Sequence, residues 1–314
     1  MDPNRGALLD APLRIGTRGS PLALAQANEV ARLLVDKGLA AEGAIEVIVI
    51  QTTGDHIADR PLVDTGLKGI FTKEIDLALL SGEIEIAVHS MKDLPTQISA
   101  GVALACLLPR EDPRDVLLGA SSIAGLPGGA IVGTGSPRRA AQVRHSRPDI
   151  TVVNFRGNVH TRMRKLGEGA ADATLLAYAG LRRLGLDTAG GTVLEADELL
   201  PAAAQGAVGV VARASNDALR ERLVALHDPA TGQVVGCERA LLSALNGSCR
   251  TPIAALAEVQ SDGALLLRAS LLSVDGVQRF DTTRNGPLAD AERMGEDAGN
   301  ELRASAGPGF SVWN

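Results

Sequence analysis

Aromatic residues and cysteines are scarce in this chain. Of its 314 residues only 2% are aromatic (four Phe, one Trp and one Tyr), and three are cysteine. Surfaces that stack sugars or nucleic-acid bases need repeated aromatic side chains, and small disulfide scaffolds need a higher density of cysteine. The composition therefore disfavours these three classes of protein. The 45% of apolar residues is sufficient for a folded protein with two or three cores.

Motifs for metal ions, nucleotides and membranes are also missing. The cysteines form no C-x-x-C pair, the histidines form no H-E-x-x-H, and no G-x-x-x-x-G-K-[ST] loop or well-placed G-x-G-x-x-G is present. The longest uncharged run, residues 116–137, contains six Gly and two Pro, which does not suit a continuous membrane helix. Residues 1–12 lack the apolar stretch of an export signal. We therefore expect a cytoplasmic protein that binds no metal and no membrane.

The positive charge of the chain is concentrated in one segment. Residues 134–165 contain eight Arg or Lys against the single acid Asp149, whereas the whole chain has a net charge of −6. Such a confined basic segment favours a small polyanionic ligand over a nucleic acid, which needs a wider basic surface. The alternative is that arginine is simply the preferred cation of this chain.

The hydrophobic pattern predicts an α/β protein followed by a smaller domain. Short apolar runs predict strands at 13–16, 46–51, 84–89, 102–108, 130–133, 151–155, 173–177 and 201–212. Amphipathic segments predict helices at 21–37, 71–80, 137–145 and 159–166. This alternation is typical of mostly parallel sheets. From residue 227 onward, a helix (231–245), three strands (253–259, 265–273 and 277–283) and a last helix from 288 predict an α+β domain with an antiparallel sheet.

A short repeat marks two helix starts. Residues 16–21 (GTRGSP) and 133–137 (GTGSP) each follow a predicted strand, with Ser at the N-cap and Pro at the first helical position. Backbone N–H groups at such a position bind anions, and each repeat has arginine nearby, namely Arg18 in the first and Arg138 and Arg139 in the second. An anion site and ordinary helix capping explain the repeat about equally well.

Two further segments place charged side chains at the ends of predicted strands. In residues 89–95 (HSMKDLP), Lys92 and Asp93 could bind a substrate carboxylate and stabilise a cationic intermediate, or could form an incidental ion pair in a solvated turn. Arg156, with Arg162 beyond it, could grip carboxylates with two-pronged hydrogen bonds, or could be ordinary surface arginine.

The cysteines allow one reactive candidate. Cys249 lies in a Gly-containing loop beside Arg250, a cation that would favour the thiolate form. The inert interpretation of a small buried hydrophobe remains open for Cys249, and it suits Cys106, in a strand, and Cys237, in a helix, better.

Eight motifs in order along the chain resemble one family. They are residues 17–24 (TRGSPLAL), 69–74 (GIFTKE), 89–95 (HSMKDLP), 110–115 (REDPRD), 133–139 (GTGSPRR), 156–158 (RGN), 205–207 (QGA) and 247–249 (GSC). Together they resemble the porphobilinogen deaminase (hydroxymethylbilane synthase) family over nearly the whole chain.

The resemblance implies two periplasmic-binding-protein-like (type II) doubly wound α/β domains and a small C-terminal α+β domain. Domain 1 would comprise residues 1–105 and 203–224 with a mobile loop at 53–69, domain 2 residues 109–200, and domain 3 residues 228–314. The family expectation for the oligomeric state is a monomer, without a nucleic-acid or membrane partner.

The resemblance also implies a reaction. Four porphobilinogen molecules are joined head to tail with loss of ammonia on a dipyrromethane primer, and water then releases the linear tetrapyrrole hydroxymethylbilane. A thioether to Cys249 would hold the primer, and Asp93, beside Lys92, would stabilise an azafulvene-like cation. Further cofactor-binding residues would be Ser20, Lys92, Asp93, Thr134, Ser136, Arg138, Arg139, Arg156, Gly157 and Gln205. Substrate-binding residues would be Arg18, Ser20, Gln26, Lys68, Phe71, Arg156, Arg162 and Arg183.

The chain departs from the family pattern at two places. Asp64 stands in the loop where lysine is frequent, and Ala204 stands before Gln205 where glycine is frequent. The alternative from another functional class is a non-catalytic carboxylate-binding module, because the same fold also serves transporters and regulators.

Overall fold

The computed structural model describes residues 12–56, 69, 71–248 and 251–310, which form two compact units. Among these residues, unit 1 comprises 12–56, 69, 71–110 and 207–232, and unit 2 comprises 111–206, 233–248 and 251–310. The strands are β1 (Leu13–Thr17), β2 (Ile45–Val49), β3 (Ile86–Ser90), β4 (Val102–Leu107), β5 (Asp115–Leu118), β6 (Ile131–Gly133), β7 (Thr151–Val153), β8 (Ala173–Ala177), β9 (Thr192–Val193), β10 (Val208–Arg213), β11 (Ile253–Val259), β12 (Ala264–Leu272) and β13 (Arg279–Pro287). The helices are α1 (Pro21–Asp36), α2 (Thr53–His56), α3 (Lys73–Ser81), α4 (Pro137–Ser146), α5 (Val159–Gly167), α6 (Tyr178–Arg183), α7 (Asp217–Leu223), α8 (Pro229–Ala244) and α9 (Ala291–Ala306).

Unit 1 is built on a sheet with the strand order β2-β1-β3-β10-β4. Strand β1 pairs in parallel with β2 and β3, whereas β10 is antiparallel to both β3 and β4. Helix α1 buries one face, which includes Ala27, Val30 and Leu34, in the core that also contains Ile15 and Ile86. The spacing of these apolar residues matches the helical period, so the amphipathic pattern accounts for the packing.

The larger sheet of unit 2 repeats this arrangement with the order β7-β6-β8-β5-β9. Strand β6 is parallel to β7 and β8, and β5 is antiparallel to β8 and β9. The two sheets confirm the predicted α/β fold class. The strand and helix alternation predicts mostly parallel sheets, but both sheets contain parallel and antiparallel pairs. The antiparallel pairs arise because β10 in unit 1 and β5 in unit 2 run opposite to their neighbours β3 and β8.

Unit 2 also contains the separate three-stranded antiparallel sheet β11-β12-β13, on which helix α9 packs. The predicted small α+β domain is therefore confirmed as a sheet and helix arrangement. Unit 2 thus includes most of the segments predicted as domains 2 and 3, and the three-domain division stays a prediction.

The predicted strand at 201–212 is wrong in its first half, since β10 covers only Val208–Arg213. Ala204 and Gly206 have φ values of +60° and +92°, which are incompatible with a continuous strand. The backbone at Ala204 is in the left-handed region that favours glycine, which gives a physical reason for the glycine of the family pattern. Within the predicted loop 53–69, residues 53–56 form α2, and residues 57–68 lie outside the described residues.

In the part of the chain that the structure describes, no helix combines the length and the apolar character needed to cross a membrane. The same residues contain no group of three or more His, Cys, Asp or Glu side chains suited to a metal ion.

Gly133 ends β6 beneath a buried aromatic ring. A Cβ atom at this position would lie 2.5 Å from Cγ of Phe155, whose ring is buried. We expect Gly133→Ala to lower the free energy of unfolding by about 1–3 kcal/mol through overpacking. Chemical denaturation measures this change. The control is Gly167→Ala, at an exposed helical position with no neighbour within 4 Å, where a gain of up to about 1 kcal/mol follows from helix propensity. Equal effects of the two substitutions would contradict the packing argument.

His89 is a buried titratable group on β3. Burial, together with the nearby positive charge of Arg18, lowers the pKa of His89 from 6.5 to about 4. The imidazole is therefore neutral in the folded protein at neutral pH, and its Nε2 has no hydrogen-bond partner among the described residues.

This depressed pKa predicts a loss of stability in weak acid. As the pH falls from 6.5 towards 4, the unfolded chain binds a proton at His89 that the folded chain does not bind. Between about pH 7.5 and about pH 5 the free energy of unfolding should fall by about 2 kcal/mol from this group alone. Urea unfolding of the wild type and of His89→Gln at both pH values measures it. An equal decrease in both proteins would disprove the assignment.

Candidate functional site

Three neighbouring strands of unit 2 end where predicted site residues begin. Strands β6, β7 and β8 are parallel, so their carboxyl ends lie along one edge of the sheet. The segment with Thr134 and Ser136 follows β6, Arg156 and Gly157 follow β7, and helix α6, which ends at Arg183, follows β8. The structure therefore brings these residues to one edge of one sheet.

Side-chain caps shape this edge. Ser136 Oγ accepts from the backbone N–H of Arg139 at 3.5 Å, and Thr134 Oγ1 accepts from the N–H of Ser136 at 3.2 Å. Asn158 likewise caps α5, its Oδ1 accepting from the N–H of Thr161 at 2.9 Å. Gly157 precedes it with φ +121°, and a Cβ there would lie 2.6 Å from Cγ2 of Thr161. The positive ends of α4 and α5 therefore point to the same edge as the strand ends.

A buried ion-pair cluster lies behind the first turn of α4. Asp115 Oδ2 accepts from Arg138 Nη2 at 2.7 Å, and Asp115 Oδ1 accepts from Arg139 Nη2 at 2.7 Å. The carboxylate is fully buried, and the two arginines are only 4% and 5% exposed. Burial alone would raise the pKa of Asp115, but the two guanidinium groups outweigh it and hold that pKa well below its ordinary value. The carboxylate is therefore ionised.

Gln205 belongs to the same cluster. Its Nε2 donates to Asp115 Oδ1 at 2.7 Å and to the carbonyl of Pro113 at 2.6 Å, and its side chain is buried. The family resemblance assigns Gln205, Arg138 and Arg139 to the cofactor and gives no role to Asp115. The one feature of the sequence that could have indicated this role is the position of Asp115 at the end of the motif 110–115, where it begins the apolar strand β5. The structure shows these three side chains bound to Asp115, and their contact with a cofactor stays a prediction.

The other predicted site arginines of unit 2, Arg156, Arg162 and Arg183, are partly buried. Arg183 Nη1 donates to the carbonyl of Gly206 at 3.0 Å. Arg156 follows β7, its carbonyl accepting from Lys165 Nζ at 3.1 Å, and Arg162 lies in the first turns of α5. Arg156, in the segment between β7 and α5, and Arg162, in α5 itself, thus place cationic side chains beside a helix N-terminus.

Unit 1 has an equivalent edge at the ends of β1 and β3. Ser20 caps α1, its Oγ accepting from the N–H of Ala23 at 3.2 Å, which confirms the predicted helix start. Buried Gln26 binds across to the end of β3, with Nε2 and Oε1 at 2.9 Å and 3.0 Å from Ser90 Oγ. Lys92 and Asp93 come next, in a short 3₁₀ turn (Met91–Asp93), and both are partly exposed. A cation and a carboxylate therefore follow directly on a rigid strand.

Arg18 and Phe71 meet in unit 1. The guanidinium carbon of Arg18 lies 4.2 Å from the centroid of the Phe71 ring, which is the geometry of a cation–π contact. The structure thus joins the end of β1 to the segment that leads into α3.

Two predicted site residues, Lys68 and Cys249, lie outside the described residues, as does Asp64. On the chain before Cys249, Gly247 packs so closely that a Cβ would lie 2.5 Å from Cδ1 of Ile253. The N–H of Ser248 donates to Thr251 Oγ1 at 3.2 Å, which joins the two sides of the Cys249 position.

The other two cysteines, Cys106 and Cys237, are buried and free. Burial raises the pKa of each to about 12, with Glu238 contributing at Cys237. The prediction that these two thiols are buried is therefore confirmed, and their raised pKa favours the less reactive thiol form.

Two models of one protein family match consecutive parts of this chain. The family described as porphobilinogen deaminase, dipyromethane cofactor binding domain, matches residues 13–221, and the porphobilinogen deaminase C-terminal domain matches residues 233–304. The first of these includes the capped edges of both units described above.

Whole-length relatives agree with this match. The chain is 54% identical over 305 residues to the chloroplastic porphobilinogen deaminase of Oryza sativa subsp. japonica, covering 95% of this chain and 85% of the relative. It is 51% identical over 306 residues to the porphobilinogen deaminase of Paracoccus denitrificans, covering 96% and 97%. Among solved structures, a periplasmic substrate-binding protein of an ABC transporter from Coxiella burnetii aligns with a TM-score of 0.42 at 15% identity, covering 72% of this chain and 96% of that chain. Because both family domains match in order and the relatives are this similar over most of their length, the chain belongs to the porphobilinogen deaminase family.

Proposed function

We propose that this chain is a hydroxymethylbilane synthase, a transferase that condenses four porphobilinogen molecules head to tail with release of ammonia and then releases linear hydroxymethylbilane by hydrolysis. The observation that carries the proposal is the ordered match of both family domains along residues 13–221 and 233–304. A non-catalytic carboxylate-binding module, the alternative from the sequence, is not favoured by this match.

The donor set suits a ligand of this chemistry. Each pyrrole ring of the cofactor and of the growing chain carries an acetate and a propionate group. Carboxylates are bound most strongly by guanidinium forks and by N–H groups at helix N-termini. Unit 2 supplies both at one edge, with Arg156, Arg162 and Arg183 beside the capped starts of α4 and α5. Unit 1 supplies Arg18, Lys92 and the N-terminus of α1.

The dipyrromethane cofactor, when bound through Cys249, supplies the pyrrole carbon to which the first substrate is joined. We assign the binding of this cofactor to Ser20, Lys92, Asp93, Thr134, Ser136, Arg138, Arg139, Arg156, Gly157 and Gln205. We assign the binding of the substrate to Arg18, Ser20, Gln26, Lys68, Arg156, Arg162 and Arg183, with Phe71 providing an apolar contact.

Asp93 is the proposed catalytic carboxylate, with Lys92 beside it. As ammonia leaves porphobilinogen, positive charge develops on the pyrrole, and a fixed carboxylate close to it lowers the barrier by electrostatic stabilisation. Its place in the 3₁₀ turn directly after β3 holds the carboxylate on a rigid element. The same carboxylate can accept hydrogen bonds from the pyrrole N–H groups and so orient the ring.

We further propose that the protein acts as a cytoplasmic monomer. The net charge of −6 and a surface built of many Arg–carboxylate pairs suit a chain that remains dispersed in water. Size-exclusion chromatography with light scattering at several concentrations tests the monomer, and a stable dimer mass would exclude it.

The covalent cofactor is directly measurable. The intact mass of the denatured protein should exceed the sequence mass by one dipyrromethane unit, and Cys249→Ser should lack the increment. The matched control is Cys106→Ala, which removes a buried thiol in β4 and should retain the increment. An unmodified wild-type chain from cells that make porphobilinogen would refute the cofactor attachment.

Asp93 should matter for turnover more than for binding. We expect Asp93→Asn to leave the KM for porphobilinogen within a few-fold and to lower kcat by at least about a hundredfold, because the charge acts mainly in the transition state. Steady-state kinetics of the cofactor-loaded variant measures both. Glu83→Gln, at an exposed carboxylate of unit 1, serves as the control and should be unaffected. A near-normal kcat in Asp93→Asn would remove the assigned role.

A further inference from the structure

Asp115 accepts hydrogen bonds from three side chains that are distant from it in the chain, namely Arg138, Arg139 and Gln205. Beyond the contacts with Arg138, Arg139 and Gln205, its Oδ2 also accepts from Arg139 Nε at 3.2 Å. Both carboxylate oxygens therefore have two donors each, and no water is needed to satisfy the buried charge.

The two arginines of this cluster also donate to backbone carbonyl groups. Arg138 Nη1 donates to the carbonyl of Leu200 at 2.7 Å, and Arg139 Nη1 donates to the carbonyl of Leu175 at 2.9 Å. Gln142, one turn further along α4, accepts from the N–H of Leu200 at 2.9 Å. The cluster thus joins β5, β8, the first turn of α4 and the segment 200–205 within unit 2.

The charges explain why this arrangement needs the carboxylate. Two adjacent guanidinium groups repel each other strongly in a buried environment, and Asp115 compensates one of the two charges between them. Without it, Arg138 and Arg139 would have to separate or become hydrated. Either change would shift the start of α4, whose N-cap is Ser136 and whose approach includes Thr134, the acceptor of the Ser136 N–H.

We propose that Asp115 is a positioning residue of the cofactor-binding edge, which sets the place of the α4 N-terminus, of Arg139 and of Gln205 without itself touching substrate. The inference rests on the proposed function, because the residues that it positions are proposed to bind the dipyrromethane cofactor. The residue acts through others, so its loss should change cofactor loading and KM before it changes the chemistry on a bound substrate.

The test compares two substitutions in unit 2. Asp115→Asn keeps the shape of the side chain and removes its charge, whereas Val143→Ala truncates a fully buried core residue on the same helix and leaves the cluster intact. The unfolding midpoint and far-ultraviolet circular dichroism establish how much each variant is destabilised. Intact mass then gives the fraction of folded chain that carries the dipyrromethane increment, and kinetics of the loaded fraction separates KM from kcat.

We expect Asp115→Asn to lose at least about tenfold in loaded fraction, or to raise KM about tenfold in the fraction that is loaded, while Val143→Ala stays loaded with an unchanged KM. Asp115→Glu, which restores the charge, should recover part of the loading. If Asp115→Asn is loaded and binds substrate as well as Val143→Ala does, Asp115 serves stability alone and the inference is wrong.

Two further experimental results would also count against the inference. If Asp115→Asn does not fold, Gln205→Leu removes one donor of the cluster without changing its charge, and loading equal to that of the wild type would overturn the inference. If the wild type itself carries no dipyrromethane, the proposed function fails first and this inference fails with it.

Discussion

The carboxylate of Asp115 is the constraint on which the carboxyl edge of unit 2 depends. Two guanidinium groups can share a dry interior only when an anion lies between them, since their repulsion is poorly screened there. Asp115 provides that anion and also accepts from Gln205. A single buried charge therefore holds a strand, the start of a helix and a loop in one arrangement, and the neighbouring backbone N–H groups are placed as a consequence.

The cluster also lowers the positive charge that the basic segment 134–165 presents at its surface. Arg138 and Arg139 are neutralised in part by Asp115, Arg147 pairs with Asp149, and Arg164 pairs with Glu168 at the surface. The net charge of the segment therefore overstates the positive charge that a ligand can meet. Arg156, in the turn between β7 and α5, and Arg162, in the first turns of α5, are partly exposed, and their contact with a ligand stays a prediction.

Prediction from the sequence succeeded where the determinants are local. The Ser-Pro starts of α1 and α4 could be identified because the cap hydrogen bond and the proline ring act within one turn. The antiparallel insertion of β5 and β10 could not, since their partners β8 and β3 are distant in the chain. The irregular backbone at Ala204 is equally non-local, because the buried Gln205 beside it is bound to Asp115 and Pro113.

By itself, the sequence determined the α/β class, the repeated helix starts, the small C-terminal sheet and the motifs of the family, because periodicity, capping and motif spacing are properties of adjacent residues. Only the tertiary structure decided which arginines are internal and which acid compensates them. It also decided that His89 is a neutral, buried imidazole. These properties depend on burial and on partners up to 90 positions away, such as Gln205 and Asp115, which no local pattern encodes.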